Sequence, residues 1–171
     1  VQTVMLIAAY FGEEEIAWGT DSERTTGLIV SILVIQLVAV AGATLTARAS
    51  KAFGNIPTLG VINALWVVIC IYAYFVRQPM EFYIAAGCVG LVMGGIQALS
   101  RSTYSKLMPE TTDTTSFFSF YDVAEKIGIV IGMSIFALVA QMNNSMRPAA
   151  LMLGVFFLLG IFLLLRVRVK K

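Results

Sequence analysis

Three ionisable side chains stand directly before a long apolar run. In "SFFSFYDVAEKIGIVIG", Ser116 to Gly132, they are Asp122, Glu125 and Lys126. On a helix, 100° per residue places all three within about 100° of one another, on one side. Such a set can form an i,i+4 ion pair, relay a proton or bind a polar solute. A charge at the centre of a bilayer costs several kcal/mol, so depth in the membrane decides among these uses.

The uncharged run Ile127–Ala140 has fourteen residues, roughly 21 Å of helix and too short to span. Phe117, Phe118, Phe120 and Tyr121 lie beyond the charges, so the span is expected to draw in Tyr121–Lys126. That puts the charges at the membrane boundary or one turn inside it, away from the midplane. Two readings stay open. In the structural one, Asp122 and Lys126 pair in the favourable acid-first order, Ser116 or Thr115 caps the helix, and Lys126 snorkels. In the functional one, the groups line a polar cavity and serve gating or proton coupling.

Composition fixes the setting. Of 171 residues, 58% are hydrophobic and only 13% charged, about half the charged share of a soluble domain; mean hydropathy is +0.85. This is an integral membrane protein. The net charge of +2 is no sign of a nucleic-acid partner, because the basic residues sit in short loops and at the C-terminus. With no histidine, no triad that needs an imidazole base can form, and no Gly-rich phosphate loop occurs. Cys70 and Cys88 fall within apolar stretches and read as small hydrophobes, not metal ligands. No enzyme, metal or cofactor is expected.

The elements that must position these side chains are six apolar segments at about 1–18, 25–47, 58–76, 81–107, 115–141 and 148–166. The expected fold is an all-α, polytopic transmembrane helix bundle. Short connections make consecutive helices antiparallel, and Pro57, Pro79, Pro109 and Pro148 fall near helix ends. Only eleven residues precede Gly12 and the "EEE" after it, roughly half a hydrocarbon core. The first helix is therefore expected to be truncated, with Val1 inside it. Six helices divide into three and three, and the odd number inverts the second set, as in many transporters. The third and sixth segments are the greasiest and suit the lipid-facing edge, whereas the first, second, fourth and fifth suit the interior.

Basic residues set the orientation. Arg48, Lys51, Arg101, Lys106, Arg166, Arg168, Lys170 and Lys171 gather on one side; Arg24, Arg77 and Arg147 lie on the other with Glu13, Glu14, Glu15, Asp21, Glu23 and Glu81. The C-terminus is expected in the cytoplasm, and "GEEE" as a solvated turn facing out. Within the helices, Gly90, Gly94 and Ala98, and again Ala124, Gly128 and Gly132, form stripes that let membrane helices approach closely. Gln97, one turn before Arg101, can serve a packing hydrogen bond or contact a polar solute.

"GGIQALSRSTYSKLMPE", "SFFSFYDVAEKIGIVIG" and the opening "VQTVMLIAAYFGEEE" together resemble the C-terminal half of a major facilitator superfamily transporter. The nearest branch is the one related to autophagy-associated vacuolar amino-acid effluxers. The resemblance implies a missing N-terminal six-helix half, alternating access and a site between the halves for a small-molecule solute, amino acids at the family level. The expected location is the plasma (inner) membrane, with membrane lipid as a partner. By position the resemblance makes Gln2, Gln36, Gln97, Arg101, Tyr121 and Lys126 candidates for cavity or gate roles, beside Asp122 and Glu125. The loop "GATLTARASKAFGNIP" keeps Arg48, Lys51 and Gly54 of the superfamily's basic turn but has no acidic residue, which argues against a charge-relay latch there. The reading from a different class is a helical membrane subunit with a structural or assembly role.

Overall fold

The computed structural model describes residues 2–110 and 113–166, with only the backbone of Gln2. Val1 and the expected cytoplasmic Arg168, Lys170 and Lys171 lie outside the described residues. The described chain forms six helices: α1 (Gln2–Glu15), α2 (Asp21–Phe53), α3 (Asn55–Phe75), α4 (Pro79–Leu107), α5 (Thr114–Asn143) and α6 (Met146–Arg166). No strand occurs among the described residues. Five helices, α2 to α6, are long and apolar enough to cross a membrane.

Capping chemistry explains where the helices outrun or stop short of their apolar segments. α1 ends at Glu15 instead of Trp18, because Trp18 folds back and its Nε1 donates to the Gly12 carbonyl at 2.7 Å. α2 begins four residues early: Thr20 Oγ1 accepts from Glu23 N at 3.2 Å, and Asp21 and Glu23 fit the positive end of the helix dipole. It also continues past Ala47 through good helix formers to Gly54, whose φ of +92° suits glycine and ends the helix. α4 starts at Pro79, where the missing N–H costs nothing, and Glu81 Oε2 accepts from the amides of Arg77 and Gln78 at 2.8 and 3.2 Å. The cap of α5 is neither Thr115 nor Ser116 but Asp113, whose Oδ1 accepts from Ser116 N at 3.2 Å.

Two seams hold the bundle. α2 and α4, separated in sequence by α3, run parallel with their backbones touching: Gly90 lies on Ile35, Gly94 on Ala39, and Gly42 on Leu91. Any Cβ at Gly42 or Gly94 would fall on a backbone carbonyl of the other helix. The stripe departs from expectation at its end. Ala98 is exposed and turns to a cleft, and Gly95, against the Thr46 side chain, continues the seam in its place. In the second seam α3 meets α6 antiparallel. Trp66, fully buried, stacks on Phe157 with ring centres 5.1 Å apart and planes within 5°, and Cys70 packs beside Gly154.

α4 is the central helix: half of its most apolar stretch is buried, against 11% for that of α5. The expectation that α2 and α5 are interior helices is not met within this chain. Leu37 and Val40 on α2, and Val123, Ile127 and Val130 on α5, stay more than half exposed. These two helices are apolar on faces for which the six-helix chain has no partner. The α5 stripe is corrected too. Gly132 is buried against Thr3 of α1, but Gly128 has open space around it and Ala124 is exposed.

Candidate functional site

α5 packs on α6, whereas the C-terminal half of α4 reaches α5 through the side chains of Ser100, Arg101 and Tyr104. Between them lies a cleft. Its inner part, about 450 Å³, is bounded by Thr3 of α1, Asn63 of α3, Gln97 and Ser100 of α4, Gly128 and Gly132 of α5, and Phe157 and Gly160 of α6. Its outer part, about 500 Å³, is bounded by Gln97, Ala98 and Arg101 of α4 and by Asp122 and Lys126 of α5. Tyr121 and Glu125 border both parts.

Helical spacing generates the lining. Gln97, Ser100, Arg101 and Tyr104 follow i, i+3, i+4, i+7 on α4, and Tyr121, Asp122, Glu125 and Gly128 follow i, i+1, i+4, i+7 on α5, so two faces carrying polar groups meet. Arg101 Nη2 donates to Asp122 Oδ1 at 2.7 Å, and its guanidinium lies 5.6 Å from the Tyr121 ring centre, in cation–π range. Tyr121 OH donates to Ser100 Oγ at 3.0 Å, and Tyr104 OH donates to the Phe117 carbonyl at 2.9 Å. Tyr104 also packs on Tyr121, with ring centres 5.0 Å apart. These contacts tie the start of α5 to the end of α4.

The intrahelical Asp122–Lys126 pair expected from spacing does not form, because the Arg101 fork reaches Asp122 across the cleft and takes its place. Glu125, half-buried, and Lys126, exposed, make no ion pair or side-chain hydrogen bond among the described residues. Gln97 likewise makes no packing hydrogen bond and turns its amide to the cleft. Six of the eight candidates, Gln97, Arg101, Tyr121, Asp122, Glu125 and Lys126, therefore come together. Gln36 is exposed on α2 and borders neither part of the cleft, and the side chain of Gln2 lies outside the described residues. Sequence reading missed Ser100 and Tyr104, although their spacing from Gln97 and Arg101 carried the signal.

At the opposite end of α5 stands a second polar junction. "GEEE" is not solvated throughout: Glu13 and Glu14 are exposed, but Glu15 is largely buried. Glu15 Oε1 accepts from Ser145 Oγ at 2.7 Å and from Met146 N at 2.6 Å; Oε2 accepts from Arg147 Nε at 2.7 Å, and Arg147 Nη2 donates to the Glu15 carbonyl at 2.9 Å. Burial works against the charged form, but Ser145, the Arg147 guanidinium and the Met146 amide outweigh it and hold the carboxyl below its ordinary range. α1 is thereby clasped to the α5–α6 turn.

At the α2–α3 turn, which has no acid, Asn55 stands in: its Oδ1 accepts from Ser50 Oγ at 2.7 Å and Lys106 Nζ at 3.2 Å, while Nδ2 donates to Thr103 Oγ1 at 3.1 Å. A neutral amide thus links this turn to α4.

A family profile described as "vacuole effluxer Atg22 like" matches residues 1–171. The chain is 30% identical over 164 residues to an uncharacterized MFS-type transporter, YxiO, of Bacillus subtilis (strain 168), covering 96% of this chain and 37% of that protein. It is 26% identical over 171 residues to autophagy-related protein 22-1 of Aspergillus niger, covering 100% of this chain and 25% of that protein. With autophagy-related protein 22 of Eremothecium gossypii the identity is 31% over 108 residues, 63% of this chain and 20% of that protein. The chain thus spans well under half the length of these curated relatives. No solved structure matches it.

Proposed function

Because the chain belongs to the vacuole effluxer Atg22-like family, we propose that residues 1–171 form a single bundle, the C-terminal half of a transporter. It moves a small solute, an amino acid or similar metabolite, by alternating access. Its partner is an N-terminal six-helix half that meets the uncovered faces of α2 and α5, and the remaining apolar surface meets lipid. The C-terminus is cytoplasmic, and the host membrane is the plasma membrane.

The observation that carries this reading is the α4–α5 cleft. Polar groups inside a bilayer are costly unless they face water or one another, yet Gln97, Glu125 and Lys126 line the cleft without partners among the described residues. A path for a hydrated, polar solute gives those groups their use. Arg101–Asp122, Tyr121–Ser100 and Tyr104–Phe117 act as the catch that brings α4 and α5 together at the cytoplasmic mouth when the cleft faces the other way. Tyr121, between the two parts, is the moving divider.

In the full-length protein reconstituted in vesicles, Lys126→Ala is expected to lower solute flux about tenfold, the loss of one charged contact in the path. Insertion and detergent-extracted yield are expected to stay unchanged, because Lys126 supports no packing. Flux equal to wild type in Lys126→Ala, measured with a mixture of labelled amino acids, would remove Lys126 from the path.

A further inference from the structure

Glu125 differs from the other acid of the cleft in having no fixed counter-charge among the described residues. Asp122 is committed to Arg101 at 2.7 Å. Glu125 borders both the inner and the outer part, so its neighbours decide whether it can change charge. From α4 it is faced by Gln97, Ser100 and Arg101, and the guanidinium of Arg101 is held by Asp122. From its own helix it is faced by Tyr121, whose hydroxyl is donated to Ser100, and by Lys126, which lies beyond ion-pair distance. α1 offers Thr3 and α3 offers Asn63, whose Nδ2 is spent on the Leu59 carbonyl; α6 contributes only apolar side chains and Gly160.

Asp122 and Arg101 hold each other although both side chains are more than half exposed, whereas Glu125 has no arginine partner among the described residues. A half-buried carboxylate without such a partner is free to bind and lose a proton as its access to water changes. Tyr121 stands where that access divides. We propose that Glu125 is the proton carrier of the transport cycle. Its carboxylate takes a proton from water while the cleft is open to one side and returns it to water after the cleft opens to the other. This inference rests on the transport reading and adds the driving ion and the residue that carries it.

The test uses the full-length protein in proteoliposomes and a mixture of ¹⁴C-labelled amino acids, with two assays: accumulation under an imposed pH gradient, and exchange at equal pH. A gradient of one pH unit is worth about 1.4 kcal/mol, or about tenfold accumulation for each coupled proton. Wild type is expected to reach about that ratio; Glu125→Gln is expected to accumulate nothing above equilibrium while still exchanging label, at whatever rate, so that lost accumulation beside surviving exchange is the signature. Glu125→Asp, which keeps an ionisable group, is expected to retain both activities. Gradient-driven accumulation by Glu125→Gln would overturn the inference. So would loss of exchange together with accumulation in a monodisperse Glu125→Gln, which would make Glu125 a solute ligand. Wild-type exchange indifferent to the pH gradient would overturn proton carriage and leave transport standing. No movement of any label by wild type would remove the transport reading for this solute class, and this inference with it.

Discussion

Valine at Gly94, or at Gly42, is expected to separate α2 from α4 and to remove most of the folded protein. Each new Cβ would fall on a carbonyl of the facing backbone, Ala39 for Gly94 and Leu91 for Gly42. A side chain in the way can rotate; a helix carbonyl cannot without breaking its own hydrogen bond. The two helices must then part. In lipid no hydrophobic effect draws helices together, and close van der Waals contact supplies the association. A gap of only 0.5–1 Å forfeits about a quarter to a half of each contact. Overpacking in cores costs about 1–3 kcal/mol, and a rigid seam places this case at or above the upper end. Gly87 on the same helix has open space around it. Gly87→Ala is therefore expected to be neutral or to gain up to about 1 kcal/mol of helix propensity. Thermal melting and size-exclusion profiles in detergent decide the matter: a Gly94→Val protein that behaves like Gly87→Ala would refute the seam.

The second large effect is expected at Glu15. Glu15→Gln leaves the Arg147 guanidinium largely buried without a counter-charge. Breaking one side of a buried pair costs about 3–5 kcal/mol, and the 13–16% side-chain exposure here favours the lower end. Arg147→Met, which leaves the carboxylate alone, is expected to cost a similar amount, and the double change less than the sum. The pH dependence has a definite sign. Glu15 has a folded-state pKa below the ordinary 4.5, so its contribution is complete above that value and is lost as the pH falls through the lowered one. Wild type should lose melting temperature along that acid limb, and Glu15→Gln should lack this component. Equal acid limbs in the two proteins would show that the clasp does not stabilise the fold.

Much of this architecture was legible in the sequence because membrane helices are written as long apolar runs, and the short polar turns between them are hard to mistake. The close-packing face of α4 was legible through Gly90 and Gly94, since glycine at a four-residue interval has one common use in lipid, but that α2 is the helix it meets was not. The same rule failed for Ala98 and Gly128, because a four-residue step drifts by about 40° around the helix and a stripe need not stay on one seam. Which acid pairs with which base was not legible. Lys126 lies four residues from Asp122 and Arg101 lies twenty-one away, yet the cross-cleft partner forms the bond, because facing helices can bring a planar guanidinium into line. Glu15 was hidden for a related reason. Its partners Ser145 and Arg147 lie some 130 residues away, and in "GEEE" nothing local distinguishes it from Glu13 and Glu14. Periodicity combined with family resemblance pointed to the residues that share the cleft, and Gln36 lies apart from them on α2 because polarity on a membrane helix does not reveal which neighbour it faces.

Both seams join helices that are not consecutive, which sets an order of biogenesis. α2 cannot meet α4 until α3 has crossed between them, and α3 cannot meet α6 until α4 and α5 have been made. At roughly ten residues per second, the stretch of about 70 residues between α3 and α6 leaves α3 without its partner for several seconds. During that wait the face carrying Trp66 and Cys70 lies against lipid or against the insertion machinery. Its near-complete lack of charge makes that wait tolerable. A ribosome-bound intermediate ending before Met146 should therefore hold α2 to α4 in the bilayer yet leave the bundle unlocked, with α6 as the stave that closes it.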